Sequence, residues 1–294
     1  MNETPSAAAG HPIALQVTGL VKKFRVSRVI GRGQEDFVAV DDVSFTLKKG
    51  ASLAVVGESG SGKSTVARTI VGLEKATTGS VVVNDKDWKA IRFANRRQRL
   101  ERGRQIQMVF QDPYQSLDRR QTVHECLDEC LRLHTTGDAA VRAERVAELV
   151  AQVGLDDRMV ASRPGALSGG QRQRVAIARA LAAEPEIIIL DEAVAALDVS
   201  IQAQVLRLLD EIRRSTGIAY LFISHDLAVV RQVCDDIVVM RNGKIVESGP
   251  AEQVLASPTH PYTRRLVESV PRPDWKPRRH VIEHDTPHPG DELP

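Results

Sequence analysis

Eight consecutive residues, Gly57-Glu58-Ser59-Gly60-Ser61-Gly62-Lys63-Ser64, carry the first recognisable chemistry of this 294-residue chain. Their pattern, G-x-x-x-x-G-K-[ST], is that of a loop that wraps phosphate. The glycines let successive N–H groups curl round an anion with no Cβ in the way. A helix opening at Ser64 points its positive end at the same anion. Lys63 is then placed on the β- and γ-phosphates of a nucleotide, and the Ser64 hydroxyl on Mg²⁺. Such a motif also arises by chance. Context separates the two readings, and here an apolar strand precedes it and a helix follows.

A second constellation is Asp191-Glu192, reached through the apolar run Ile187-Ile188-Ile189-Leu190. An acid ending a buried strand emerges at the carboxyl edge of its sheet, beside such a loop. Asp191 is expected to act as the outer carboxylate of Mg²⁺ and Glu192 to polarise an attacking water. The competing reading is a solvated acid pair, and the phosphate loop upstream weighs against it.

The elements that must position these groups follow from hydrophobic periodicity. Ile13-Ala14-Leu15-Gln16-Val17 and Val43-Ser44-Phe45-Thr46-Leu47 alternate with period two and predict strands. Ser27 to Glu35 between them is polar and Gly-containing, and reads as an exposed loop. Leu53-Ala54-Val55-Val56 is continuously apolar, which suits a strand buried on both faces. Tyr220-Leu221-Phe222-Ile223 and Ile237-Val238-Val239-Met240 add two more. Helical stretches between several of these strands predict a mostly parallel α/β sheet. From Gln121 to Val153 the spacing becomes helical: Val123, Cys126, Leu127, Cys130, Leu131 and Leu133, then Val141, Val146, Leu149, Val150 and Val153. That stretch is a helical insertion into the α/β core.

Leu167-Ser168-Gly169-Gly170-Gln171, upstream of Asp191, resembles the signature pentapeptide of the ABC ATPases. Ser168 resembles a helix N-cap, and the two glycines leave N–H groups open to an anion. Other family elements are similar and come in order. Gln111 in Val109-Phe110-Gln111-Asp112-Pro113 resembles the Q-loop glutamine, which implies a role in catalysis and at the metal. Ala196-Leu197-Asp198 resembles the D-loop, and His225 in Ile223-Ser224-His225-Asp226 the switch histidine. Phe24 resembles the aromatic that stacks on adenine, although an aromatic there could simply pack. The resemblance implies ATP and Mg²⁺ as ligands. It puts Glu192, His225, Gln111 and Lys63 in catalysis, and Ser64, Gln111 and Asp191 at the metal. Nucleotide contacts would come from Phe24, residues Gly57, Glu58, Ser59, Gly60, Ser61, Gly62, Lys63, Ser64 and Thr65, the signature Ser168, Gly169, Gly170 and Gln171, and Asp198.

Within that family, Gln111-Asp112-Pro113-Tyr114-Gln115-Ser116-Leu117, Asp191-Glu192-Ala193-Val194 and Ser257-Pro258-Thr259-His260-Pro261-Tyr262-Thr263 look like the oligopeptide/dipeptide/nickel importer ATPases. Lys63-Ser64-Thr65 and the tyrosine after Gln-Asp-Pro look like their F-type subunit. Two departures stand out: Ala195 replaces the usual D-loop serine, and Asp118-Arg119-Arg120 replaces Asn-Pro-Arg. The resemblance implies a RecA-like P-loop core with an antiparallel β subdomain and a helical subdomain. It implies head-to-tail pairing with a second ATPase subunit, a heterodimer in preference to a homodimer, on two membrane permease subunits served by an extracytoplasmic solute-binding protein. A non-transport ABC ATPase, or an importer of a solute such as nickel, is the alternative. The expected division is a flexible 1–12, an ATPase domain over 13–256 with its helical subdomain at about 112–170, and a C-terminal extension and Pro-rich tail over 257–294.

Composition bounds these readings. Hydrophobic residues are 42% and charged residues 27%, a globular balance. The net charge of +2, from 40 basic and 38 acidic residues, gives no whole-chain attraction to nucleic acid. Nothing approaches the roughly 18 consecutive apolar residues of a membrane helix, and Met1 to Pro12 lacks the pattern of a secretion signal. The expected location is the cytoplasmic face of a membrane, as a peripheral subunit. Three cysteines, Cys126, Cys130 and Cys234, argue against a disulfide framework, and the first two read as small apolar residues. The arginine-rich run from Arg92 to Arg104 reads as a solvated helix face in preference to a nucleic-acid surface. His280, His284 and His288 hint at a metal, which Pro287 and Pro289 weigh against.

Overall fold

Two sheets organise the chain. A computed structural model describes residues 12–27, 34–88 and 96–269. The larger sheet contains β3 (Ser52–Val56), β6 (Ile106–Val109), β7 (Ile187–Asp191), β8 (Ala219–Ser224), β9 (Asp236–Arg241) and β10 (Lys244–Pro250). Their order is β10-β9-β3-β8-β7-β6, parallel throughout except for β10, which runs antiparallel to β9. β3, β7 and β8 are buried at every residue, as continuous apolarity requires of central strands covered on both faces.

Alternate residues of each strand serve opposite cores. Ala54, Val56, Leu190, Phe222 and Val239 join the larger core, built with the helices of that face. Leu53, Val55, Ile189, Leu221 and Val238 join the other, which includes Val66, Ala67 and Ile70 of α1 (Lys63–Val71). The second sheet closes that core. It is antiparallel, ordered β2-β1-β4-β5, from β1 (Ile13–Ser27), β2 (Gln34–Lys48), β4 (Thr78–Val83) and β5 (Lys86–Asp87). The two alternating segments pair as expected, Val17 opposite Phe45. Both strands run further than their apolar cores, so the polar stretch begun at Ser27 narrows to 28–33, outside the described residues.

The helical insertion holds α3 (Pro113–Ser116), α4 (Val123–His134), α5 (Ala139–Gln152) and α6 (Asp157–Val160). α4 buries Val123, Leu127 and Leu131; α5 buries Val146, Leu149 and Val150. Leu133 and Val141, counted in the same periodic set, instead stand exposed at the flanks of their helices. Thr122 with Glu125 forms a capping box at the start of α4, and Asp138 caps α5. Cys126 and Cys130 pack half-buried against the larger core, and burial pushes both thiols up, Cys130 to about 11.

Arg96, Arg97 and Arg99 lie exposed on α2 (Arg96–Gln105), while Arg92 falls outside the described residues. Arg102 is no part of a solvated face: it is 5% exposed and donates to the carbonyls of Thr69 and Ile70 at the end of α1. A helix leaves its last carbonyls unpaired, and a cation there meets both hydrogen-bond and dipole demands. Burial lowers its pKa to about 10. The histidines at 280, 284 and 288 lie outside the described residues. α7 (Gly169–Leu181), α8 (Val199–Thr216), α9 (Leu227–Val233), α10 (Ala251–Ala256) and α11 (Pro261–Glu268) complete the fold.

Candidate functional site

The phosphate-loop sequence connects the end of β3 to α1 at the carboxyl edge of the parallel sheet. Its curl depends on two glycines. A Cβ on Gly57 would lie 2.1 Å from the Met240 carbonyl oxygen, and one on Gly62 would lie 2.4 Å from that of Ala39. Both have positive φ, 152° and 101°. The end of β9 and the neighbouring β2 therefore wall the loop in so closely that only glycine fits. Gly243 N–H donates to the Ser61 carbonyl at 3.1 Å and braces the loop from the β9–β10 turn.

Lys63, 5% exposed, turns back onto this loop. Its Nζ donates to the carbonyls of Gly57 and Glu58, both at 2.8 Å, and lies 3.4 Å from Ser61 Oγ. Burial lowers its pKa, while Glu192, Asp191 and Glu58 pull the other way. A polyanion in the cradle would offer this ammonium stronger acceptors than two neutral carbonyls. Ser64 Oγ donates to Asp191 Oδ1 at 3.0 Å. These are two hard oxygen donors, one of them anionic, which suits Mg²⁺ chemistry. Burial raises the Asp191 pKa, and a cation at the pair would oppose that shift. The residues present thus fit both a phosphate and a divalent cation.

Glu192 follows at the strand end with φ 47°, a left-handed conformation that costs a non-glycine residue about 1–2 kcal/mol. Its N–H donates to the Ile223 carbonyl at 2.9 Å, which ties β7's exit to β8. The carboxylate is held from two sides. Gln111 Nε2 donates to Oε2 at 2.8 Å, and His225 Nδ1 lies 3.3 Å from Oε1. Gln111 comes from the exit of β6 and His225 from that of β8, so three neighbouring strands converge on one carboxylate. Beside it opens a cleft lined by Ser64, Arg68, Gln111, Gln115, Ser116 and Asp191.

The remaining predicted residues stand apart from this cluster. Ser168 caps α7: its Oγ accepts from Gln171 N–H at 3.3 Å, and Gln171 Oε1 accepts from Ser168 N–H at 2.8 Å. Only one orphan donor of the helix start is consumed there, and the N–H groups of Gly169 and Gly170 remain available. Among the described residues, no hydrogen bond or ion pair joins Ser168–Gln171, Asp198 or Phe24 to residues 57–65. Asp198 is the exposed N-cap of α8, without a side-chain cap bond. Phe24 is half-buried on β1, with Lys22 Nζ 4.4 Å over its ring. Opposite it on β2 stands Phe37, 55% exposed, an aromatic that the sequence reading passed over. Arg68 and Tyr262 were also missed. Arg68 lies one helical turn after Ser64, which a helix-face count could have found. Tyr262 OH accepts from Glu58 N–H at 2.9 Å across 204 positions, which no spacing rule predicts.

A parallel sheet whose central strand runs into a glycine-walled anion cradle, with an acid pair ending a neighbouring strand, places the chain among the P-loop nucleotide-binding proteins. Comparison takes this further: the chain belongs to the ABC transporter family, whose description matches residues 40–195. The C-terminal region of oligopeptide/dipeptide transporters matches 246–292. The glutathione import ATP-binding protein GsiA of Salmonella paratyphi A is 46% identical over 289 residues, 97% of this chain and 46% of GsiA. The chain thus spans about half the length of that relative. The oligopeptide transport ATP-binding protein OppF of Bacillus subtilis is 48% identical over 237 residues, 80% of this chain and 77% of OppF. Among solved structures, a dimeric post-hydrolysis state of the ATP-binding cassette MJ0796 bound to ADP and Pi aligns with TM-score 0.70 at 28% identity, covering 81% of this chain and 98% of that one. No helix among the described residues is long and apolar enough to cross a membrane.

Proposed function

We propose that this protein is the ATP-hydrolysing subunit of an ABC importer and that its solutes are peptides. The observation that carries the reading is the cluster around Glu192, which brings Gln111 and His225 to one carboxylate beside the Lys63 loop. The C-terminal match and the peptide-import names of the relatives support the solute class.

The geometry supports a division of labour. Lys63 leaves the Gly57 and Glu58 carbonyls for the β- and γ-phosphates, and the loop's N–H groups other than those of Glu58 and Ser61, which are already bonded, face the same oxygens. Ser64 and Asp191 hold Mg²⁺, which supplies charge neutralisation on the phosphates. Glu192 accepts a proton from the attacking water, with Gln111 and His225 fixing its carboxylate. Phe24 stacks on the base. No hydrogen bond or ion pair among the described residues joins Ser168, Gly169, Gly170, Gln171 or Asp198 to residues 57–65, and the family resemblance supports their being supplied to this site by a second ATPase subunit. Val199, beside Asp198, is 84% exposed, an apolar side chain on the surface this pairing would cover. A heterodimer with a similar ATPase is favoured, seated on two permease subunits at the cytoplasmic face and served by a solute-binding protein.

The membrane contact falls in the stretch from Gln111 to Arg120, where Gln111, Asp112, Gln115, Asp118, Arg119 and Arg120 are exposed. There Asp112 caps α3, and Arg119 stacks 4.1 Å over Tyr114. The experiment is mass spectrometry of the detergent-extracted complex, followed by peptide uptake in proteoliposomes. Two permeases, a second ATPase and uptake that ceases with Lys63→Ala are expected. A complex that hydrolyses ATP and moves no peptide would remove the solute assignment, and two copies of this chain alone would remove the heterodimer.

A further inference from the structure

The C-terminal region touches the phosphate loop through one hydroxyl. Tyr262, in the second position of α11, accepts a hydrogen bond from Glu58 N–H at 2.9 Å. We propose that Tyr262 is a positioning residue for nucleotide binding: its hydroxyl holds the first turn of 57–64 in the curled form while Lys63 changes partners. This rests on reading 57–64 as the phosphate site.

Glu58 is held through both of its backbone polar groups. Its carbonyl accepts from Lys63 Nζ at 2.8 Å and from Ser61 N–H at 3.2 Å, while its own N–H goes to Tyr262. When phosphate draws Lys63 away, the carbonyl keeps Ser61 and the N–H keeps Tyr262. Burial cannot hold this turn, since Glu58, Ser59 and Gly60 are all exposed. Without the hydroxyl, the Glu58 N–H turns to water, and the loop must be ordered at the expense of binding.

Tyr262 is itself built in. It is 3% exposed, packs in the larger core, and has the Arg241 guanidinium 5.2 Å from its ring. Its N–H donates to His260 Nδ1 at 3.1 Å. Glu247 on β10 fixes the approach to α11, accepting from Thr259 N–H and Oγ1 at 2.8 and 2.7 Å and from His260 N–H at 3.1 Å. The ring serves the fold, and the hydroxyl is the atom that reaches the loop. Nucleotide affinity is thereby linked to the seating of α11, which lies within the match to the C-terminal region of oligopeptide/dipeptide transporters.

The test uses the full chain and a fluorescent ATP derivative. Tyr262→Phe keeps the ring and removes the acceptor. It should weaken nucleotide binding and raise KM for ATP about 3- to 10-fold, the worth of one neutral hydrogen bond, with kcat and thermal midpoint unchanged. Glu58→Pro removes the donor instead, so adding Tyr262→Phe to it should have no further effect. Wild-type affinity in Tyr262→Phe would overturn the proposal. So would an undiminished loss in the Glu58→Pro background, or a lowered midpoint, which would make the hydroxyl a prop of the fold. Lys63→Ala separates the two possible failures. If it binds nucleotide normally, the phosphate-site reading is wrong; if it loses binding while Tyr262→Phe does not, only the role of Tyr262 falls.

Discussion

Glu192→Gln isolates the proposed base with the least disturbance. The substitution keeps length, volume and one oxygen able to accept from Gln111 Nε2, which lies 2.8 Å from the present carboxylate. It replaces the other oxygen, 3.3 Å from His225 Nδ1, or exchanges the two. The φ of 47° is equally open to a glutamine, so the fold should lose less than about 0.5 kcal/mol. Turnover should fall far more. Loss of a positioned general base costs on the order of 10²–10⁴ in rate, about 3–5 kcal/mol of barrier. Binding should move the opposite way. Glu192 is the foremost of the carboxylates opposing the burial that lowers the Lys63 pKa, and its charge also repels a nucleotide triphosphate. Removing one negative charge leaves ATP affinity equal or somewhat higher, and an ATP-bound pair should accumulate. Phosphate release, fluorescent-nucleotide titration and gel filtration with ATP measure the three effects. Turnover within about threefold of wild type in a folded variant would refute the assignment of Glu192 as base.

Three further outcomes follow from particular contacts. Arg102→Met preserves bulk but removes the side-chain donor to the Ile70 carbonyl and leaves Thr69 with only the Gly72 N–H at the end of α1, so urea unfolding should report a loss of about 1–3 kcal/mol; an unchanged midpoint would deny Arg102 its capping role. Arg119→Ala with Arg120→Ala should cut peptide uptake several-fold while ATP binding stays at the wild-type level, and intact uptake would remove the coupling surface. Burial alone would raise the Glu247 carboxyl, but hydrogen bonding by Thr263 first, then by Thr259 and His260, outweighs it and holds the pKa at about 2. A depressed carboxylate stabilises above its unfolded value, ordinarily 4.5, and that support is lost as pH falls towards 2. Hydrogen exchange in 261–268 should therefore accelerate below about pH 4.5 beyond its intrinsic pH dependence, and an unaltered protection profile would contradict the clamp.

How far the sequence could be read depended on whether a constraint was local. The phosphate loop was legible because its glycines, lysine and serine act within eight residues, and β3 and β7 because continuous apolarity marks central strands. Glu192 was placed at a strand end by the apolar run that leads into it, and Gln111 and His225 by the family pattern. That they share one carboxylate is a consequence of strand order, β8-β7-β6, which no segment encodes by itself. Arg102 was misread because α2 is polar all round, so periodicity could not single out the one arginine turned inward beneath Trp88, its guanidinium 5.7 Å from that ring. Leu133 and Val141 failed for the converse reason. They end or begin the apolar set of a helix, where the stripe has already rotated away from the core. Tyr262 was quoted only as part of a family motif, since its partner lies in the first third of the chain.

The signature segment bears on the proposal that a second subunit completes this site. A Cβ on Gly170 would lie 2.5 Å from Ile201 Cγ2, and one on Gly169 3.7 Å from Leu197 Cδ2. The start of α7 is therefore pressed against the D-loop and the first turn of α8, and the two must move together. Ser168 and Gln171 spend their side chains on each other, which leaves the glycine N–H groups and the helix dipole as what this segment offers an anion. Backbone donors recognise charge with little regard to what carries it. A γ-phosphate presented by a paired subunit would be drawn to them, and a site that has lost that phosphate would not. Because Leu197 and Ile201 flank Asp198, this attraction acts directly on the exposed D-loop. The same chain's Asp198 lies six residues from Glu192, so under the proposed pairing occupancy of one composite site would bear on the proposed base of the other through a short, closely packed segment.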